Sequence, residues 1–367
     1  MFMIHGRISG HLAKRASEFA GAVLLALVAL GSPSCNKKSG SPEWDSPGVR
    51  QPAGKEAAHA AEAAHAAAAA PKHPRARIKD PAQSPAPPAA GPATNGLRFI
   101  AFNVENWLTM DRLVNRKPVS SSPKPAAEKQ TVVSILVKNA PDVVGLCEIG
   151  EVKDLAEIQQ SLKTAGLDLG YSHFTGGSDP VRHLGILSRF PITPSAKPAT
   201  TEFQMKGQTF AINRGILDTS IKAHGKSYRF LGVHLKSKRE IEGLDQEEMR
   251  IHEARLLRRH VDAILLADAD ARLIVYGDFN DTRPSKAFRT VTGNYTDPGY
   301  LTAIPFKDSR GEAWTHYWEL HDIYTRFDYV MVSRALKSEV DFPASHIIDD
   351  PAWIDASDHR PLLAILK

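Results

Sequence analysis

The residues of this 367-residue chain that could do chemistry lie in short polar stretches, each beside an apolar run. Asn103 and Glu105 follow residues 97–102, Glu148 ends the run that begins at 143, and His234 ends 230–233. Asp278 and Asn280 follow 273–276 in Gly277-Asp278-Phe279-Asn280-Asp281. Asp328 opens 329–332, and Asp358-His359 precedes the final run, 362–366. Singly, each has a plain explanation, since Asp and Asn commonly form turns after strands. Together they are a set of oxygen and imidazole donors, the groups that hold cations and move protons. Such groups gathered where strands leave a sheet mark the edge at which α/β domains place their sites. With only Cys35 and Cys147, a disulfide scaffold and a cysteine-based zinc site are both excluded.

The elements that must position these residues can be read from periodicity. Seven apolar runs, at 97–102, 143–146, 184–187, 230–233, 273–276, 329–332 and 362–366, have the length and flanking turn signals of buried strands. Helical spacing predicts helices over 127–139, 154–165 and 245–267, the last with Ile251, Leu256, Leu257, Val261, Ile264 and Leu265 as its buried stripe. Pro141 stops the first. Strands interspersed with helices from residue 97 to 367 indicate one layered α/β domain, with no internal repeat.

The N-terminal quarter has a different character. Arg7, Lys14 and Arg15 precede a 13-residue apolar run at 19–31, which is short for a bilayer span and suited to an export signal over residues 1–35. Gly31-Ser32-Pro33-Ser34-Cys35 resembles a bacterial lipoprotein signal, which implies acylation of Cys35 as a membrane tether, although Ser32 stands where such signals prefer Leu. Plain secretion and a retained anchor are the alternatives, and all place the protein outside the cytoplasm. Residues 36–96 carry ten prolines, and 12 of the 20 residues at 51–70 are alanine, so this stretch reads as a disordered linker. Residues 1–96 hold 11 basic and 6 acidic side chains, leaving 35 of each in 97–367. The packed domain is therefore neutral overall, which excludes gripping nucleic acid by bulk charge.

In order along the chain, Phe102-Asn103-Val104-Glu105-Asn106, Val144-Gly145-Leu146-Cys147-Glu148, Leu187-Ser188-Arg189-Phe190-Pro191-Ile192, Gly232-Val233-His234-Leu235-Lys236, Gly277-Asp278-Phe279-Asn280-Asp281-Thr282, Phe327-Asp328-Tyr329 and Ser357-Asp358-His359-Arg360-Pro361 resemble the motifs of the endonuclease/exonuclease/phosphatase superfamily. The resemblance covers residues 97–367 and implies a four-layer α/β sandwich, two facing mixed sheets flanked by helices. It also implies a Mg²⁺- or Mn²⁺-dependent phosphoesterase. Glu148 matches the principal metal ligand, with Asn103, Glu105 and Asp358 beside it. Asp278 and Asn280 match the pair that handles the attacking water, His359 and Asp328 a phosphate-contacting histidine and its carboxylate, and His234 a second phosphate contact. A hard cation of this kind keeps several waters and needs few protein carboxylates.

The remaining candidates divide between structure and substrate. Arg189 reads as a brace for the strand turn and Cys147 as a small buried hydrophobe. Lys236, Lys238 and Arg239 read as a solvated loop or as contacts to flanking phosphates, and Arg255, Arg258 and Arg259 as an exposed helix face. Trp314, Tyr317 and Trp318 read as packing. The motifs look most like the bacterial nuclease-like branch, so the expected substrate is a phosphodiester in DNA or RNA, handled by a monomer. An inositol phosphate or sphingomyelin is the alternative substrate, and a non-catalytic binding lipoprotein is a reading of another class.

Overall fold

The computed structural model describes residues 96–114, 117–195 and 200–367. The expected signal and, but for Gly96, the expected linker lie outside the described residues. Two six-stranded sheets dominate. Across the first the order is His346–Ile347, Leu362–Leu366, Leu97–Trp107, Val143–Ile149, His183–Ser188, Tyr171–Thr175. Across the second it is Thr302–Ala303, Asp328–Val332, Arg272–Asp278, Lys226–His234, Leu217–Ala223, Ile192–Pro194. Each sheet is antiparallel except for one central parallel pair: Leu97–Trp107 with Val143–Ile149, and Lys226–His234 with Arg272–Asp278. A parallel pair requires a long crossover, and the helices Ala126–Asn139 and Gln246–Ala267 supply them. All seven expected strands form, and the three expected helices form within three residues of their expected bounds.

Strand alternation explains the layering. Along the first strand Leu97, Phe99 and Ala101 face the second sheet, packing in one cluster with Phe230, Ile274 and Tyr276. Ile100, Phe102 and Val104 face the other way, against Val132, Ile135 and Leu136 of the first crossover helix and Leu155, Ile158 and Leu162 of the helix Val152–Thr164. The outer face of the second sheet, Leu231, Val233, Leu273 and Val275, packs on Leu256, Leu257, Val261 and Ile264. A period of two on the strands and 3.6 on the helices thus builds helix, sheet, sheet, helix. Tyr276 fills the space between the sheets so fully that a Cβ on Gly145 of one sheet, or Gly232 of the other, would overlap its ring or press on its hydroxyl. Phe99 and Phe230 meet Tyr276 edge to face, with ring centres 4.9 and 6.4 Å away.

Local signals set the ends of the longest helix. Asp245 caps it by accepting from the Glu248 amide at 2.9 Å. Its buried face carries Arg250 and Glu253 as well as the apolar stripe, and both reach across to the loop after His234.

Candidate active site at the ends of two parallel strand pairs

Both parallel pairs end at the same edge of the sandwich. Asn103 lies opposite Cys147 in one, and His234 opposite Asp278 in the other. Asp328 pairs with Asp278 from the antiparallel neighbour. Glu148 sits at a bulge: the register slips on both sides of it, between Cys147 and Ile149 and, opposite, between Asn103 and Trp107. Its φ is +66°, and Glu105, Asn106 and Asn280 also have positive φ, at +46°, +58° and +49°. Left-handed backbone at four non-glycine positions is strained, and it persists where surrounding contacts fix it. Gly277 must be glycine, because its φ is +132° and a Cβ would overlap the Val233 carbonyl.

These segments converge on the Asp278 carboxylate. Its Oδ2 accepts from Asn103 Nδ2 at 3.2 Å and lies 3.6 Å from His234 Nε2 and 3.7 Å from His359 Nε2. Asn103 Nδ2 also donates to Glu148 Oε1 at 3.3 Å, so one amide bridges the two carboxylates across the two sheets. Asn103 turns its nitrogen to them, while its Oδ1 accepts from the Glu105 amide at 3.1 Å. Glu148 Oε2 accepts from the Asn106 amide at 2.9 Å and faces Arg182 at 3.9 Å. His359 Nδ1 bonds Asp328 Oδ2 at 2.7 Å, and Ser357 Oγ ties the Asp358-His359 segment to the Asn103 carbonyl at 2.7 Å. Asn280 donates its amide nitrogen to the Leu235 carbonyl at 3.0 Å and its backbone N–H to Asp278 Oδ1 at 2.7 Å.

The electrostatics differ group by group. Burial pushes the Asp278 carboxyl up; His359 opposes this, but Asp328 adds repulsion, and the result is about 7. Burial also works against an ionised Glu148, yet Arg182 and His359 outweigh it and hold Glu148 below the usual carboxylate range. Burial alone would lower His359, but Asp328 and Asp278 raise it well above the ordinary imidazole value. His234 falls well below that value, by burial and then by the charges of Arg214 and Arg182.

Asn103, His234, Glu148, Asp278, Asn280, Asp328, Asp358 and His359 are thus brought together, with Glu105 tied to them through its backbone N–H, and two expectations are corrected. Of the two expectations for Lys236, a solvated loop or a contact to flanking phosphates, the first is excluded: it is 1% exposed, covered by the long helix, and Glu253 accepts from its backbone N–H at 2.6 Å. Lys238 pairs with Asp281 at 2.8 Å. Trp318 was expected to pack, but it is 49% exposed on the hairpin of His316–Trp318 with Ile323–Thr325. Trp314 does pack, 3.5 Å beneath the Arg360 guanidinium. Arg189 braces Asp142 at 3.1 Å, and Cys147 is buried between the sheets.

Two site residues went unnoticed in the sequence. Arg182 reaches Glu148 from a loop whose Asp179 carboxylate accepts from the Val181 and Arg182 amides; an Asp-x-x-Arg turn is too common a pattern to single out. His316 lies against His359, ring centres 4.7 Å apart, and was hidden by its aromatic neighbours.

The donor set fits a hard divalent cation. Glu148 and Asp358 offer carboxylate oxygens at the cleft, and such an ion completes its shell with water and substrate phosphate. Among the described residues, the compact donor trios are Asp278–Asp328–His359 and His316–Asp358–His359, each within 4.8 Å; Glu148 belongs to neither.

The fold is shared with known proteins. The chain is similar to the catalytic domain of human nocturnin, solved with bound sulfate (16% identity, 74% of this chain, 94% of that one, TM-score 0.51). It is equally similar to an endonuclease/exonuclease/phosphatase family protein from Leptotrichia buccalis (15%, 74% and 99%, TM-score 0.51). A sphingomyelinase C from Streptomyces griseocarneus aligns at 15% identity over 75% of this chain and all of that one, with a TM-score of 0.48. No curated protein matches the sequence. The model of the endonuclease/exonuclease/phosphatase family matches residues 114–359, and the chain belongs to that family, whose members are in general hydrolases of phosphoester bonds.

Proposed function

We propose that this protein is a Mg²⁺- or Mn²⁺-dependent phosphodiesterase, exported and held at a membrane through Cys35, that cleaves DNA or RNA. The supporting observation is the convergence of Asn103, His234 and His359 on one oxygen of Asp278. Glu148 and Asp358 would hold the ion, which supplies charge neutralisation at the phosphate and a more acidic bound water. His359, kept charged by Asp328, presents an Nε2 proton to a phosphate oxygen. Asp278, near 7, is poised to take the proton from the attacking water. Water adds at phosphorus, the P–O bond to the leaving alcohol breaks, and solvent returns a proton to that oxygen. Asn280 has one amide hydrogen bonded to Leu235, which fixes its side chain beside Asp278.

One observation favours a lipid phosphodiester as the second reading. The hairpin beside His359 exposes Trp318, Leu320, Ile323 and Tyr324, with Glu319 and Asp322 and no Lys or Arg among them. Apolar exposure of this kind suits an amphiphile better than a polyanion. Incubating the full chain with plasmid DNA, RNA and sphingomyelin vesicles, each with Mg²⁺ and with chelator, tests both. Metal-dependent cleavage of nucleic acid alone supports the first reading and cleavage of sphingomyelin alone the second. Metal binding without turnover of any substrate sinks the enzymatic assignment.

A further inference from the structure

The trio His316, Asp358 and His359 shares Asp358 with the proposed hard-cation position, but its donor chemistry is different. His316 Nε2 lies 3.9 Å from Asp358 Oδ2, and His359 Nε2 lies 3.9 Å from Asp358 Oδ1. Two imidazole nitrogens and one carboxylate oxygen are too nitrogen-rich for Mg²⁺ and match the three-ligand, one-open-position pattern of Zn²⁺. Donors of a tetrahedral zinc stand about 3.3 Å apart, given bonds of roughly 2.0–2.1 Å. The two histidine–aspartate spacings therefore need to close by about 0.6 Å, and all three donor atoms already lie within 4.8 Å of one another.

Both rings are also anchored as zinc-binding histidines are, through the nitrogen remote from the metal. His359 Nδ1 is held by Asp328 at 2.7 Å, and His316 Nδ1 by Thr325 Oγ1 at 3.1 Å. His316 is further clamped by stacking on Phe327, ring centres 5.1 Å apart. The two segments are pinned by a backbone bridge between His316 and His359 and by the Tyr317 amide donating to the Asp358 carbonyl at 2.9 Å. The Asp358 side chain is 39% exposed, which leaves an entry path.

We propose that His316, Asp358 and His359 form a second metal site, selective for Zn²⁺, whose occupation inhibits the enzyme. A zinc ion there takes the His359 nitrogen that otherwise meets the phosphate, so the same side chain serves substrate or zinc but not both. The inhibitory part rests on the phosphodiesterase reading; the binding part does not.

The test uses the full chain saturated with Mg²⁺ and titrated with Zn²⁺ against a chromophoric zinc chelator, alongside phosphodiester cleavage. The expected result is one zinc per chain, weakened at least tenfold by His316→Ala and by the size-conserving His316→Gln, and a few-fold by Thr325→Val. Half-inhibition by zinc, referred to each variant's own Mg²⁺-supported rate, should shift in step. Zinc affinity unchanged in both His316 variants overturns the site, as does zinc binding that Glu148→Gln abolishes. Zinc binding that depends on His316 in a protein that cleaves no phosphodiester upholds the site and removes the functional reading instead.

Discussion

His234 and His359 stand 3.6 and 3.7 Å from the same oxygen of Asp278, are both buried, and are driven to opposite protonation states. Burial disfavours the charged form of each, so the difference comes from what lies behind them. Behind His359 are Asp328, bonded to its Nδ1, and Asp278. Around His234 are Arg214, Arg182 and Lys236, and its Nδ1 makes no hydrogen bond among the described residues. The same asymmetry separates the carboxylates, with Glu148 pulled down beside Arg182 and Asp278 pushed up beside Asp328. One side of the cleft thus holds a charged acid against a reluctant carboxylate, and the other a neutral imidazole beside a firmly ionised one. Environments that push similar groups apart are how acid and base roles are divided at one pH.

The sharpest way to break this comparison is to remove the charged member. His359→Ala and Asp278→Asn should each lower kcat/KM by roughly 10²–10⁴, the range of a lost proton-transferring group. A retained rate in either, measured on whichever substrate the full chain cleaves, removes that residue from the chemistry. Asp328→Asn should cost less, about 10²-fold, and should also move the alkaline limb of the pH–rate profile to lower pH, because the charge that raises His359 is gone. A lower rate with an unmoved limb would make Asp328 purely structural.

His234→Gln should cost about five- to tenfold, the value of one neutral hydrogen bond of ~1 kcal/mol, with the alkaline limb unmoved. A loss as large as that of His359→Ala would show that the two sides are not distinct.

The smallest effect is on stability in metal-free protein. His359, raised above its unfolded value of about 6.5, stabilises the fold fully below that pH and progressively less as pH rises through its folded value. His234, depressed, costs nothing above that pH and destabilises increasingly as pH falls below it. Urea denaturation should find His359→Asn most harmful at pH 6 and least at pH 10, and His234→Gln relatively favourable at pH 5. Parallel pH profiles for the two variants would contradict the assignment.

Much of this arrangement was legible before any fold was known. Apolar runs located the strands, and the polar residues after Phe102, Val233 and Tyr276 located the edge they share. What periodicity does not carry is where a bulge falls. Glu148 faces the cleft because the register slips at it with φ +66°, a tertiary outcome of strands on either side. The solvated-loop reading of Lys236 fails for a related reason: charge suggests solvent, but a helix ten residues later folds back over it. Arg182 and His316 act through neighbours 34 and 43 residues away, Glu148 and His359, and no local pattern reports that distance.

The two carboxylates bridged by Asn103 belong to different sheets, so their separation is inherited from the thickness of the sandwich. Tyr276 is the spacer that sets that thickness, wedged against Gly145 three residues before Glu148 and two residues before Asp278 in its own strand. A methyl group at 145 should therefore act as a shim. Gly145→Ala is expected to cost ~1–3 kcal/mol by overpacking and to slow turnover by widening the gap that a single amide must span, without altering one reacting group.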